Sequence, residues 1–398
     1  MLQTTREVGR LMKEYYLRVG REKEEGVPVA WMWTCTPSEL VRGLGLNLFT
    51  VEYHSGFLCG REGFHRYLEA AEQAGYPRDA CSFQKSYHGR SLLGEQPMIL
   101  PPDVLVASTS CDSSPRGLLL LADHYGLPYY LLDLPWNGEA CEGPGLAGSS
   151  VAYLAAQLEE LVAVLEGVAG RPTDPERLAD TYRRANTLYQ LWEDIIDLKA
   201  SVPCPVGVAD SIAASGILMQ FAGTQEGIDF AQRMRDEVGD RAARKEGVLE
   251  EERYRILWLG PVVNYDLGLF RRFEELGAVV LQWELESSYT GSYGGILDPD
   301  NPLESMARKM VSNLYNGAVE NRMAAIKRLA GRLKVDGLVL YNSWPCKRLA
   351  GSQRAIKEGV ARDLGLPLLF LEADSVDSRS HDPETLNQQI EDFVEVLG

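Results

Sequence analysis

Seven cysteines punctuate the chain: Cys35, Cys59, Cys81, Cys111, Cys141, Cys204 and Cys346. No two of them form a CxxC pair, so zinc-ribbon and thioredoxin readings lack their motif. Thiolates drawn from separate segments are the usual ligands of iron–sulfur clusters, and three of them leave one iron open to a further ligand. A structural zinc would instead close on four. Count alone decides nothing, because free cysteine is also a common core residue. The elements that carry each cysteine have to decide.

Other side chains have chemistry to offer beside them. Glu52 closes an apolar strand-like run and is expected to face the ligand side, where a carboxylate can be tuned for proton transfer; its plainer role is a cap or an ion pair. Thr34 and Thr36 can hydrogen-bond a substrate, although capping is the simpler role for Thr36. His54 and His88 share a connection with Cys59 and Cys81, and either can donate a proton, while a surface or core histidine is the commoner reading. Lys85, Arg90, Lys347 and Arg348 flank cysteines and would meet a phosphate or a partner protein if they are not simply solvated.

Elements that can position these groups are legible as alternating apolar runs and amphipathic stretches. The runs are Val27–Trp33, Leu46–Tyr53, Asp103–Thr109 and Leu127–Leu132, then Arg255–Leu259, Ala278–Leu285, Gly337–Asn342 and Leu366–Leu371. Short apolar runs separated by helical patterns read as βαβ units and parallel sheets. The two halves also resemble each other. DVLVASTSC (Asp103–Cys111) leads through a helical stretch to GLPYYLLD, and DGLVLYNSWPC (Asp336–Cys346) leads likewise to GLPLLFLEAD. Glu52 and Glu284 each stand seven positions after a glycine, Gly45 and Gly277.

The fold expected is therefore α/β: two similar doubly wound, Rossmann- or flavodoxin-like parallel-sheet domains joined by a helical region. The boundaries are 1–150, 151–249 and 250–398. Leu154, Leu158, Leu161 and Leu165 recur at helical spacing and read as packing core. The two prolines of Ser201–Val208 mark a linker, and Cys204 within it reads as a buried apolar residue.

In open parallel sheets ligands sit beyond the carboxyl ends of the strands. Cys35, Cys111 and Cys346 end strands, Cys141 follows the fourth strand, and Cys59 and Cys81 lie in the connection between the second and third. Two facing domains would bring Cys81, Cys111 and Cys346 together in the cleft. Thr36-Pro37-Ser38-Glu39 reads as a capping box, and Asp112-Ser113-Ser114-Pro115 as a second helix start. Cys35 and Cys111 would then precede helix N-termini, whose partial positive charge favours thiolates.

Composition bounds the rest. The chain has 398 residues, enough for two or three domains at roughly 100–200 residues each. A formal net charge of −17 with no basic stripe argues against nucleic acid. The N-terminus is charged throughout and no stretch is long enough to span a bilayer, so the expectation is a cytoplasmic protein without a membrane partner. No GxGxxG follows the first strand and no GxxxxGK[ST] occurs, so neither a dinucleotide nor a nucleotide triphosphate fingerprint is present. Gly291–Gly295 (GSYGG) is a candidate loop at the second domain's strand ends.

The stretch NSWPCKRLAGSQRAIKEGVARDLGLPLLFLEADSVDSR resembles the end of the 2-hydroxyacyl-CoA dehydratase D-component family, which includes subunits of benzoyl-CoA reductases and of double-cubane cluster proteins. WTCTPSELVRGLGLNLFTVE resembles that family's opening, and DVLVASTSCD and RILWLGP fit its internal blocks, so the resemblance spans nearly the whole chain. It implies two α/β domains with a 4Fe-4S cluster in the cleft, held by the cysteines matching Cys81, Cys111 and Cys346. It further implies a separate dimeric iron–sulfur activator ATPase that delivers low-potential electrons. The protein would be a dimer with itself or with a homologous subunit, and would dehydrate a 2-hydroxyacyl-CoA or reduce an inert small molecule. The sequence departs from the simplest pattern in its extra cysteines: Cys35, Cys59 and Cys141 would complete the ligand count of a double-cubane 8Fe-9S cluster. Two rivals use the same cleft without iron, a two-domain transferase and a two-lobed small-molecule binding protein.

Overall fold

The computed structural model describes residues 1–33, 35–95, 100–138, 148–290, 296–314, 316–380 and 382–398. Thr34, Cys141 and the Gly291–Gly295 loop lie outside the described residues.

All eight apolar runs contain strands. The first sheet comprises β1 (Val29–Met32), β2 (Asn47–Thr50), β3 (Val104–Ser108) and β4 (Tyr129–Leu132). The second comprises β5 (Tyr254–Leu259), β6 (Ala278–Trp283), β7 (Gly337–Ser343) and β8 (Leu368–Ala373). Every pairing is parallel, and the two sheets share one strand order, β2-β1-β3-β4 and β6-β5-β7-β8. In each, the chain steps outward to one side and then crosses to the other. The topological switch points therefore fall between β1 and β3, and between β5 and β7.

Parallel strands covered on both faces should be apolar on both. On β5, Leu257 and Leu259 join the larger core and Ile256 and Trp258 a second one on the opposite face. The larger core runs from the first sheet through the intervening helices to one face of the second.

The repeat seen in the sequence is matched atom for atom at two places. Asp103 Oδ2 accepts the N–H of Val29 at 2.7 Å, and Asp336 Oδ2 accepts that of Arg255 at 2.8 Å. In the Gly-Leu-Pro turns, Gly126 and Gly365 adopt φ of 64° and 66°, a region open to glycine at little cost. The prolines that follow present their carbonyls to Leu105 and Leu338, each at 3.0 Å.

Between the sheets lie the helices Gly148–Ala169, Pro175–Leu198, Val208–Phe221 and Gln225–Ala243. The leucine stripe of the first is fully buried, as its spacing predicts. Asp174 caps the second by accepting the N–H groups of Glu176 and Arg177. Cys204 is buried in the non-helical stretch before Val208, and its thiol donates to the Val206 carbonyl. Among the described residues, no helix is long and apolar enough to cross a membrane.

Two local expectations are corrected. The second apolar run does not stay extended to Tyr53: pairing with β1 ends at Met32 and Thr50, and Val51–Leu58 is helical. Beyond Thr50 no neighbouring strand takes the backbone hydrogen bonds, so the chain satisfies them within itself. The capping box at Thr36 does not form either. Cys35 turns the chain with a φ of 65°, and the helix begins only at Ser38. Thr36 instead donates its hydroxyl to the Trp33 carbonyl at 2.5 Å. Glu39 is buried against Tyr189 and Lys309 rather than reaching back to the cap.

Candidate functional site

Where the carboxyl ends of the two sheets approach each other, a cavity of about 80 Å³ is lined by Cys35, Cys81, Cys111, Cys346, Glu52 and Asp374, with apolar walls that include Trp33 and Phe83. Residues from both halves of the chain contribute. Cys111 follows β3 and Cys346 follows β7, each beside its sheet's switch point. Cys81 immediately precedes the helix Ser82–Leu92. That helix sits close to its neighbour His65–Gln73: a Cβ on Gly89 would lie 1.8 Å from the Tyr67 carbonyl oxygen. Ser82 Oγ donates to Asp374 Oδ2 at 2.5 Å, tying the Cys81 segment to the end of β8.

The three thiols share one electrostatic setting. Burial raises the Cys81 thiol well above the ordinary range, and the neighbouring Cys111 and Cys346 raise it further. Burial and then Cys346 raise Cys111 in the same way. Cys346 is pushed up to about 11, chiefly by burial. Each also faces backbone N–H groups that favour its anion: that of Gln84 for Cys81, those of Ser114 and Ser113 for Cys111, and that of Leu349 for Cys346. Buried thiols with amides turned toward them are poor thiolates alone and good ones around a cation, which supplies the missing charge.

Among the described residues, no three His, Cys, Asp or Glu side chains converge tightly enough to hold a single metal ion. A cluster makes a different demand. Each thiolate binds its own iron, so the sulfurs stand around a cage rather than on one atom. Three half-buried cysteines from three segments, with backbone amides facing them, fit that donor set.

Cys35 lines the same cavity and also borders a second, of about 60 Å³, that holds Thr36, Lys309 and Asn313. Its left-handed backbone conformation costs a non-glycine residue about 1–2 kcal/mol. Ser108 Oγ holds the turn by donating to the Cys35 carbonyl at 3.1 Å, and lies 2.7 Å from Ser110 Oγ. Burial pushes the Cys35 thiol up to about 12 and Glu52 adds to this, while Lys309, Ser110 and Arg348 pull the other way. The Arg348 guanidinium feels Cys111, Cys35 and Cys346 and stacks over Trp136 at 4.6 Å.

Glu52 borders a third cavity as well, of about 330 Å³ and largely apolar, between the helices Val8–Glu24 and Val208–Phe221. The cysteine cavity and this apolar one share Glu52, Phe83, Pro261 and Leu285.

Other sequence candidates fall elsewhere. Cys59 is buried in a small separate apolar cluster with Leu68 and Val376, its thiol on the Gly56 carbonyl. The His88 ring lies tilted against Tyr76, centroids 4.7 Å apart, and lines none of these three cavities. His54 Nδ1 lies 2.8 Å from the buried Arg90 guanidinium. Lys85 is fully buried and donates to Glu72 and to the Arg78 carbonyl, so it reaches no phosphate in the cleft. Asp374 is the site residue that sequence reasoning misses. The sequence marks it only as the acid that ends the second Gly-Leu-Pro strand, and that strand-end position is the signal that could have found it. Burial raises its carboxyl above the usual range, although Ser82 and the amides of Asp377 and Val376 oppose this.

The sequence matches the family described as 2-hydroxyglutaryl-CoA dehydratase, D-component, over residues 33–397. It is 24% identical to the (R)-2-hydroxyisocaproyl-CoA dehydratase alpha subunit of Clostridioides difficile, over 97% of this chain and 94% of that one. It is 21% identical to the (R)-phenyllactyl-CoA dehydratase alpha subunit of Clostridium sporogenes, over 94% and 91%. With a benzoyl-CoA reductase subunit of Thauera aromatica it shares 24% identity, over 82% and 78%.

Proposed function

The chain belongs to the 2-hydroxyglutaryl-CoA dehydratase D-component family, and on that premise we propose that it is the iron–sulfur electron-accepting component of an ATP-driven two-component enzyme. The reaction is a low-potential reduction or a radical dehydration of an acyl-CoA or related small molecule. The observation that carries this reading is the cavity that collects Cys81, Cys111 and Cys346 from three segments at the sheets' carboxyl ends.

In this reading those three cysteines hold a 4Fe-4S cluster, which supplies one-electron redox chemistry when bound. The chain's own residues do the rest. Trp33, Phe83 and Leu285 keep the site dry, which strengthens every electrostatic interaction within it. Glu52, on the wall shared with the apolar cavity, holds or moves the proton at its carboxylate. The apolar cavity takes the hydrocarbon part of the substrate. Thr36 acts by holding Trp33 in place through its hydroxyl's bond to the Trp33 carbonyl.

The relatives are each named as one subunit of a larger enzyme. We take this chain likewise as one member of a dimer, paired with itself or a homologue, and fired by a separate iron–sulfur activator ATPase.

Iron and acid-labile sulfide per chain, measured on protein purified without oxygen, test the reading. About four irons per chain with a matching visible spectrum are expected. Iron near zero after anaerobic reconstitution would overturn it and promote the cluster-free transferase.

A further inference from the structure

The cysteine cavity holds one sulfur more than a three-cysteine site needs. Cys59 lies in another apolar cluster, and among the described residues Cys35 is the additional cysteine that lines the cavity of Cys81, Cys111 and Cys346. We propose that Cys35 is a fourth, exchangeable ligand, which closes the group held by the other three cysteines at rest and yields its place to substrate. The proposal rests on the cluster reading above and deepens it.

Four observations meet at this residue. Its backbone is held at a φ of 65°, a conformation that glycine would adopt without strain, yet a cysteine stands there. The turn is not loose, because Ser108 at the end of β3 fixes its carbonyl. The cavities that Cys35 lines carry polar groups on both sides of it: Lys309 and Asn313 in one, Ser110 and Arg348 in the other.

The fourth observation is that Cys35 forms part of the wall between two cavities. Its Sγ–H points to Asn313 Oδ1 at 3.8 Å, a residue that lines the smaller of the two cavities. A turn about the Cα–Cβ bond carries the sulfur into the cavity it shares with them. With the sulfur toward Asn313 the fourth place is open to a substrate oxygen; with the sulfur toward the other cysteines that place is closed. In the closed position the thiol would pass its proton to the Glu52 carboxylate, which lines the same cavity, and the thiolate would bind iron with Arg348 beside it; on opening, the proton returns to the sulfur.

The test compares the wild-type protein with Cys35→Gly and Cys35→Ser, all prepared anaerobically. Glycine relieves the backbone strain, so this variant removes the sulfur without a folding penalty, and its melting temperature checks that. The readouts are iron per chain and the EPR signal during mild ferricyanide oxidation. Ferricyanide takes an electron from the cluster, and an iron without a thiolate then leaves as Fe(II), giving a three-iron signal. We expect the wild-type protein to keep its iron and Cys35→Gly to lose one iron on the order of tenfold faster. Cys35→Ser, a poorer iron ligand, should fall between them. Equal iron loss in the wild-type and Cys35→Gly proteins overturns the proposal while leaving the cluster reading intact. Absence of iron from the reconstituted wild-type protein overturns both.

Discussion

Glu52 and Glu284 follow corresponding strands of the two sheets, and the structure treats them in opposite ways. Glu284 is gripped by Arg322 through two hydrogen bonds, Nε to Oε1 at 2.7 Å and Nη2 to Oε2 at 2.8 Å, and also accepts the Gly260 N–H at 2.9 Å. Glu52 instead forms part of the wall between the cysteine cavity and the apolar one. The repeat thus carries one carboxylate committed to holding the second half together and one turned to the site.

Glu52→Gln should therefore lower turnover by about 10²–10⁴-fold, the range for losing a positioned proton donor or acceptor. Iron content and melting temperature should stay at wild-type values. Turnover within a factor of a few of wild type would remove Glu52 from the chemistry.

Replacing Arg322 by Met leaves the Glu284 carboxylate buried without its cation. The expected loss of stability is about 3–5 kcal/mol, read from urea unfolding. A loss below about 1 kcal/mol, the value of an exposed pair, would contradict the burial described for this pair.

The helix behind Cys81 depends on the absence of a side chain at Gly89. A Cβ there would overlap the Tyr67 carbonyl, which is backbone and cannot rotate away. Gly89→Ala should destabilise the protein by about 1–3 kcal/mol and weaken iron retention with it, because the displaced helix carries Cys81. A stability equal to wild type would show that the two helices are not in this contact.

Glu39 provides a pH signature. Burial raises its carboxyl, but Lys309 and Tyr189 outweigh burial, and the net shift is downward. A carboxyl lowered by folding contributes stability above its unfolded pKa of about 4.3. That contribution is lost as pH falls through the lower folded value. The stability gap between wild type and Glu39→Gln should be about 3 kcal/mol at neutral pH. It should shrink steadily in unfolding titrations below about pH 4. A gap that stays constant into acid would assign the effect of the substitution to packing.

The sequence by itself determined the elements and their repetition. Strands such as β3 and β7 are apolar runs bounded by an acid before and a cysteine-bearing turn after, and the Gly-Leu-Pro turns mark the return to β4 and β8. These signals are local, because side-chain period and turn chemistry act over a few residues. They also placed Cys111 and Cys346 at strand ends, where parallel sheets keep their ligands.

The sequence already grouped Cys81, Cys111 and Cys346 as an expectation; only the tertiary structure decided that Cys35 lines the same cavity and that Cys59 does not. Cys59 and Cys81 lie in one connection, and the sequence offers no local reason to separate them. The packing of Phe64, Leu68 and Val376 closes over the first, while the Ser82–Asp374 bond draws the second to the other half of the chain. The same holds for charge. Lys85 and Arg90 flank a site cysteine in the sequence yet are fully buried, and Glu39 leaves its expected cap for a lysine far along the chain. Burial and pairing of a side chain depend on what the rest of the chain packs against it, and for these residues the deciding neighbours are remote in sequence.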